Sequence, residues 1–167
     1  MPLLNSVTTP YAEALLQVVN ENDQTEEMVE EVKQLLTLIT DSPELEKTLS
    51  SPILEKDTKK KIIIEIFSEK INFSLLNFLK LLADRQRIGI VTSILDRFLE
   101  IYRENSNIAL ATVTSAVELT DDQKGSITKK IINIAGTEKL ELVTKIDPSL
   151  IGGFVASVGS KVIDASL

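Results

Sequence analysis

The hydrophobic spacing of this chain changes once, near Asn105, and that change limits what it can fold into. Before it, apolar residues recur at intervals of three and four, the period of a helix face. After it, runs of β-branched residues and strict alternation take over. A chain of 167 residues with two periods is expected to form two small cores rather than one. The expected class is α+β: an N-terminal six-helix bundle over residues 1–105, then a small C-terminal α/β unit over 106–167 in the order β-α-β-β-β. The polar stretch "ENSN" marks the boundary.

In the helical half, "TTPYAEALLQVVN" offers Thr9 as N-cap and Pro10 as the first helical residue. Tyr11, Leu15, Val18 and Val19 then share one face. Met28, Val29, Val32, Leu35, Leu36 and Ile39 repeat the spacing in a second helix. "DSPELEKTL" renews the start signal at Ser42 and Pro43, and Pro52 ends that short helix. "KKKIIIEIF" is ambiguous, since Ile62 to Ile64 would also suit a strand; the charged run from Glu55 to Lys61 and the helical neighbours favour a helix. "FSLLNFLKLLA" is apolar nearly all round, as in a central helix. Ile90, Val91, Ile94, Leu95, Phe98, Ile101 and Tyr102 form the last stripe. Short connections between such helices argue for a bundle.

In the second half, "NIALATVTSAVEL" reads as a strand. "TDDQKGSITKKIINIAG" reads as a helix, with Thr120 as cap, acids in its first turn and Gly136 as its stop. "KLELVTKID" alternates, with Leu140, Leu142 and Ile146 on one face and Glu141, Lys145 and Asp147 on the other. "GFVASV" and "KVIDA" are two short strands, with Gly159-Ser160 as a two-residue hairpin turn.

The stretch "IDPSLIGGFVASVGSKVID" raises the question of a phosphate-binding glycine loop. Such a loop works by leading into a helix, whose free N–H groups and positive dipole end hold the anion. Gly152 and Gly153 lead instead into a β-like run, and no Lys-Ser or Lys-Thr follows. The structural reading is that Pro148 stops a strand, Ser149 to Ile151 make a tight turn, and the glycine pair permits a backbone path closed to other residues. Asp147, Ser149 and Lys161 could be drawn as an enzyme site, but no activating base accompanies them, and Asp before Pro commonly stabilises a turn.

Composition narrows the chemistry further. The chain has no Cys and no His, which removes disulfides, thiolate nucleophiles, imidazole bases and nearly every zinc or copper site. No residue set calls for a cofactor. The net charge of −7 disfavours nucleic acid and anionic lipid as main partners. Glu21, Asp23, Glu26, Glu27, Glu30 and Glu31, with no base between them, read as a solvated helix start. No apolar run approaches the roughly 20 residues of a membrane span, so no direct insertion is expected. "MPLLNSVTTP" lacks the basic n-region of a secretory signal.

"IDPSLIGGFVASVGSKVIDASL" resembles the C-terminal signature of the delta subunit family of rotary ATP synthases, which includes the mitochondrial oligomycin-sensitivity-conferring protein. "TPYAEALL" and "LLADRQRI" resemble that family's first and fifth helices, so the likeness spans the whole chain. Its form is that of the cyanobacterial and chloroplast branch. Ala156 and Ser157 are smaller than the residues the family commonly carries there. The family's final helix has no counterpart before Leu167.

The resemblance implies a non-catalytic stator subunit without cofactors, peripheral on the cytoplasmic or stromal face of a thylakoid or plasma membrane. It implies that the helical half holds the N-terminal segments of the alpha subunits of the catalytic head. The C-terminal half would hold the ends of the peripheral-stalk b-type subunits. Helix-in-groove docking suits such a joint. The residues expected to line the groove are Tyr11, Ala14, Leu15 and Met28 from the first two helices and Leu79 and Ala83 from the fifth. Pro148, Gly152, Gly153 and Gly159 are expected to be turn residues of the second half. A free-standing helical adaptor is the alternative reading, and an enzyme with a glycine-loop phosphate site the weaker one.

Overall fold

In a computed structural model describing residues 2–21, 23–137, 139–159 and 161–165, the first helix differs from the sequence expectation. Helix α1 spans Pro2–Asn20 and carries Pro10 inside it. Thr9, expected as the cap, instead accepts a hydrogen bond from Arg97 Nε at 3.0 Å, and Thr8 is buried. An interior proline costs a helix about 3 kcal/mol. Here tertiary contacts on the turn before Pro10 keep the chain helical, and Pro2 is the proline at the start.

Four further helices follow: α2 (Thr25–Thr40), α3 (Pro43–Ser50), α4 (Lys56–Phe67) and α5 (Phe73–Asp84). A short 3-10 turn, Ile88–Ile90, leads into α6 (Val91–Asn105). Ser42 and Pro43 start α3 as the sequence indicates. The ambiguous "KKKIIIEIF" is helical: Ile63 and Phe67, four residues apart, point into the core, while Ile64 is exposed. Among the described residues, no strand lies in this part of the chain for such a segment to pair with. Helix α5 is the most apolar, burying Leu75, Leu76, Phe78, Leu79, Leu82 and Ala83. Its N-terminus is capped by Asn72, whose side chain accepts from the Ser74 N–H at 2.8 Å.

These elements share one hydrophobic core, in which Leu15, Phe67, Leu75, Leu82, Ile94 and Phe98 are fully buried. Each such side chain contributes about 1.5–3 kcal/mol on leaving water. Val18, expected on the inner face, is partly exposed instead; on α1 the buried arc is formed by Ala12, Leu15, Leu16 and Val19.

The chain divides into two compact units, Met1–Tyr102 and Arg103–Leu167. The second has strand β1 (Ile108–Ser115), helix α7 (Asp121–Ala135), and strands β2 (Lys139–Ile146), β3 (Phe154–Val158) and β4 (Lys161–Asp164). The sheet order is β2-β1-β3-β4. Strand β2 lies parallel to β1, with α7 as the crossover between them, and β3 and β4 are antiparallel to their neighbours. Thr120 and Gln123 start α7 as a reciprocal capping box, and Gly136 ends it in the left-handed conformation at φ 67°. Ile127 and Ile131 of α7 cover Ala111, Val113 and Ala156 on one face of the sheet, which is the core of this unit. Ala156 is fully buried there, and Ser157 points to the opposite face. Among the described residues the protein is therefore α+β, with seven α-helices and a four-stranded mixed sheet.

Candidate docking faces

The residues singled out in the first unit fall into two groups. Leu15, Met28, Leu79 and Ala83 are packed in the core, each no more than 2% exposed. Leu15, Met28 and Leu79 pack among neighbours of the same hydrophobic core, which leaves them almost no accessible surface. Tyr11 is half-buried and Ala14 is exposed. With the partly exposed Val18, they form a stripe along α1 at spacings of three and four. The four buried residues are thus part of the core of this unit, and Ala83 also lines a pocket with Ser50 to Lys56, Gln86, Ile88 and Gly89. Arg85 and Arg87 are exposed, and their backbone N–H groups close the C-terminal end of α5 on Leu81 and Leu82 carbonyls.

In the second unit, the turn between β2 and β3 is tied at several points. Asp147 donates its backbone N–H to the Ser115 carbonyl at 2.8 Å, joining the ends of β2 and β1. Its carboxylate accepts from the Ser149 hydroxyl at 2.7 Å and the Ser149 N–H at 3.0 Å. Those two hydrogen bonds, the hydroxyl first, hold the Asp147 carboxyl below its ordinary range. Pro148 sits inside this turn. Gly153 adopts φ 71°, a region that a β-branched residue enters only under strain. The strand β3 follows at once. Gly159 has φ 60° between β3 and β4, and its expected turn partner Ser160 lies outside the described residues. The drawn triad of Asp147, Ser149 and Lys161 is not a site: Asp147 and Ser149 satisfy each other, and Lys161 begins β4.

One feature here is invisible to periodicity. A groove of about 520 Å³ opens between α7 and the turn that carries the glycine pair. Ile127, Phe154, Val117 and Ile151 line it, the last two 71% and 89% exposed. Val117 and Ile151 are both in loops, where no period marks an apolar residue as buried or exposed. The only hint was a branched aliphatic residue within polar turn sequence, "SAVELTDD" and "DPSLIGG". Among the described residues, no group of His, Cys, Asp or Glu is arranged to hold a metal ion. Nor is any helix among them long and apolar enough to cross a membrane.

The sequence profile of the family described as ATP synthase delta (OSCP) subunit matches residues 7–167. Over its whole length the chain is 95% identical to the ATP synthase subunit delta of Prochlorococcus marinus subsp. pastoris, covering 93% of that protein. It is 56% identical, again over its whole length, to the subunit delta of Prochlorococcus marinus strain SARG, covering 91% of it. Among solved structures it resembles a chain of the Toxoplasma gondii mitochondrial ATP synthase hexamer, with a TM-score of 0.74 over 96% of this chain and 90% of that one. At 18% identity that likeness speaks for the fold alone. The profile match and the identities together decide the family: this chain belongs to the ATP synthase delta (OSCP) subunit family.

Proposed function

We infer that this chain is the joint that keeps the catalytic head of an ATP synthase from turning with its rotor. As a member of the delta (OSCP) family it is a non-catalytic stator component of the peripheral stalk. In this reading residues 1–105, acting as a six-helix bundle, hold the N-terminal segments of the alpha subunits. Residues 106–167 hold the ends of the b-type stalk subunits. The alpha segment docks as an amphipathic helix over Tyr11, Ala14 and Val18, on the core to which Leu15, Met28, Leu79 and Ala83 belong. Ala14 permits close approach, and the packed core keeps the stripe from yielding under load. The protein is peripheral, on the cytoplasmic or stromal face of a thylakoid or plasma membrane.

The observation that supports a two-ended joint is the division of the chain into two compact units, each with its own hydrophobic core. The test is to strip the subunit from the membrane-bound enzyme and add it back. Without it, the head still hydrolyses ATP but proton-driven synthesis falls; with it, synthesis returns. Ala14→Lys is expected to weaken binding of an alpha N-terminal peptide and leave stalk binding intact. If synthesis is the same with and without the chain, the stator reading fails.

A further inference from the structure

We propose that the open edge of β2 pairs, antiparallel, with β2 of a second copy of this chain. The pairing joins two four-stranded sheets into one across a two-fold axis at Val143. It belongs to the chain outside the synthase and does not depend on the stator reading.

An open edge is the first condition. β2 is the outermost strand of its sheet and has a neighbour, β1, on one side only. Its register with β1 runs unbroken from Lys139 to Ile146, so neither a bulge nor a proline blunts it. The other edge strand, β4, has only four residues. The backbone N–H of Asp147 points at the Ser115 carbonyl of β1. Backbone groups alternate sides along a strand, so Leu140, Leu142, Thr144 and Ile146 turn their N–H and C=O groups outward. The residues from Val143 to Ile146 are all exposed.

Charge selects the occupant and the register. In an antiparallel ladder outward-turned residues face one another, so even positions of one β2 meet even positions of the other, and odd meet odd. With Val143 on the axis, Glu141 meets the second copy's Lys145, and Lys139 meets its Asp147. The two-fold repeats each pair and closes the assembly at two copies. Glu141, Val143 and Lys145 lie on the face away from α7, because Leu140 and Leu142 pack on the α7 side. On that side Leu140 meets Ile146, an isoleucine left 59% exposed in the single chain. The neighbouring registers fail. Centred on Leu142, Lys139 meets Lys145; centred on Thr144, Glu141 meets Asp147. Like charges directly opposite are destabilising, and opposite charges stabilising. Arg103 of the same chain lies 3.6 Å from the Glu141 carboxylate and helps to hold it at the edge.

The test uses the full chain, which has no cysteine of its own. One strand pair is a small interface, so self-association is expected at high micromolar rather than nanomolar protein. Val143 faces its own counterpart in a pair without hydrogen bonds, where Cα atoms lie about 4.5 Å apart, within reach of a disulfide. Val143→Cys is therefore expected to give a disulfide-linked dimer under mild oxidation. Lys145→Cys is not, since position 145 faces Glu141 and its own counterpart is about 14 Å away. Lys145→Glu alone and Glu141→Lys alone are each expected to weaken self-association about tenfold or more in sedimentation equilibrium. Mixed in equal amounts, those two variants are expected to associate with each other, because every Glu then faces a Lys. A chain that sediments as a monomer at high micromolar concentration overturns the pairing. So does Val143→Cys that cross-links no faster than Lys145→Cys. Dimers that both charge reversals leave untouched overturn the β2 edge as their seat.

Discussion

The carboxylate of Glu31 on α2 accepts the backbone N–H of Asn72, the N-cap of α5, at 3.0 Å across 41 residues of sequence. The acid thus holds the start of the most apolar helix of the first unit, where the helix dipole also favours negative charge. A hydrogen bond to a charged group contributes about 1.5–3 kcal/mol when part-buried. Glu31→Ala is therefore expected to lower the stability of the first unit by about 1–2 kcal/mol, and Glu31→Gln by less, since the amide oxygen still accepts. Hydrogen exchange reads this directly: α5 amides should exchange faster in Glu31→Ala, while α7 amides keep their protection.

At the other unit, Thr120 Oγ1 accepts the Gln123 N–H at 3.2 Å and the Gln123 side chain accepts the Thr120 N–H at 2.9 Å. Thr120→Ala removes the hydroxyl half of the box and leaves the backbone N–H half in place. The expected loss is about 0.5–2 kcal/mol, seen as earlier unfolding of the second unit in urea, with Thr120→Ser close to wild type.

Gly153→Val places a β-branched residue at φ 71°. Strain of that kind costs about 1–3 kcal/mol, a large share of what a unit of this size has at about 0.05–0.15 kcal/mol per residue. The variant is expected to lose the stalk subunits and keep the alpha peptide in parallel pull-downs. Equal loss of both partners would show that the two units are not separable.

The Asp147–Ser149 turn sets a pH dependence. Its carboxyl is held below the ordinary value of 3.8 by the Ser149 hydroxyl and N–H. A depressed folded value means that the ionised form stabilises the turn above the unfolded pKa, and that this contribution is lost as pH falls through the lower folded one. Protection of the Ser149 amide should stay level from neutrality to about pH 4 and fall in more acid solution. Asp147→Asn, which cannot ionise, should show no such step.

Much of the architecture was legible because period reports burial along an isolated element. The capping box at Thr120, the Ser42–Pro43 start of α3 and the alternation of Leu140 and Leu142 against Glu141 all act within a few residues of themselves. Pro10 was misread for the opposite reason. As a local signal it starts a helix; in the fold, the turn before it is held from α6 by Arg97 on Thr9. The docking residues of the first unit show the same limit. Leu15 and Ala14 are neighbours on α1 and both looked available, but only packing against the other helices decides that Leu15 is interior and Ala14 exposed.

By itself, the sequence determined the two periods, the helix and strand identities that follow from them, the family, and a glycine at the position that takes positive φ before β3. These depend on backbone preference and side-chain spacing, which each segment carries with it. The tertiary structure alone decided that four of the six expected contact residues are core, that Glu31 caps a helix 41 residues away, and that Val117 and Ile151 line one groove. Those are relations between segments distant in sequence. They arise only when two cores close and exclude water, and no local period encodes which side chains then remain outside.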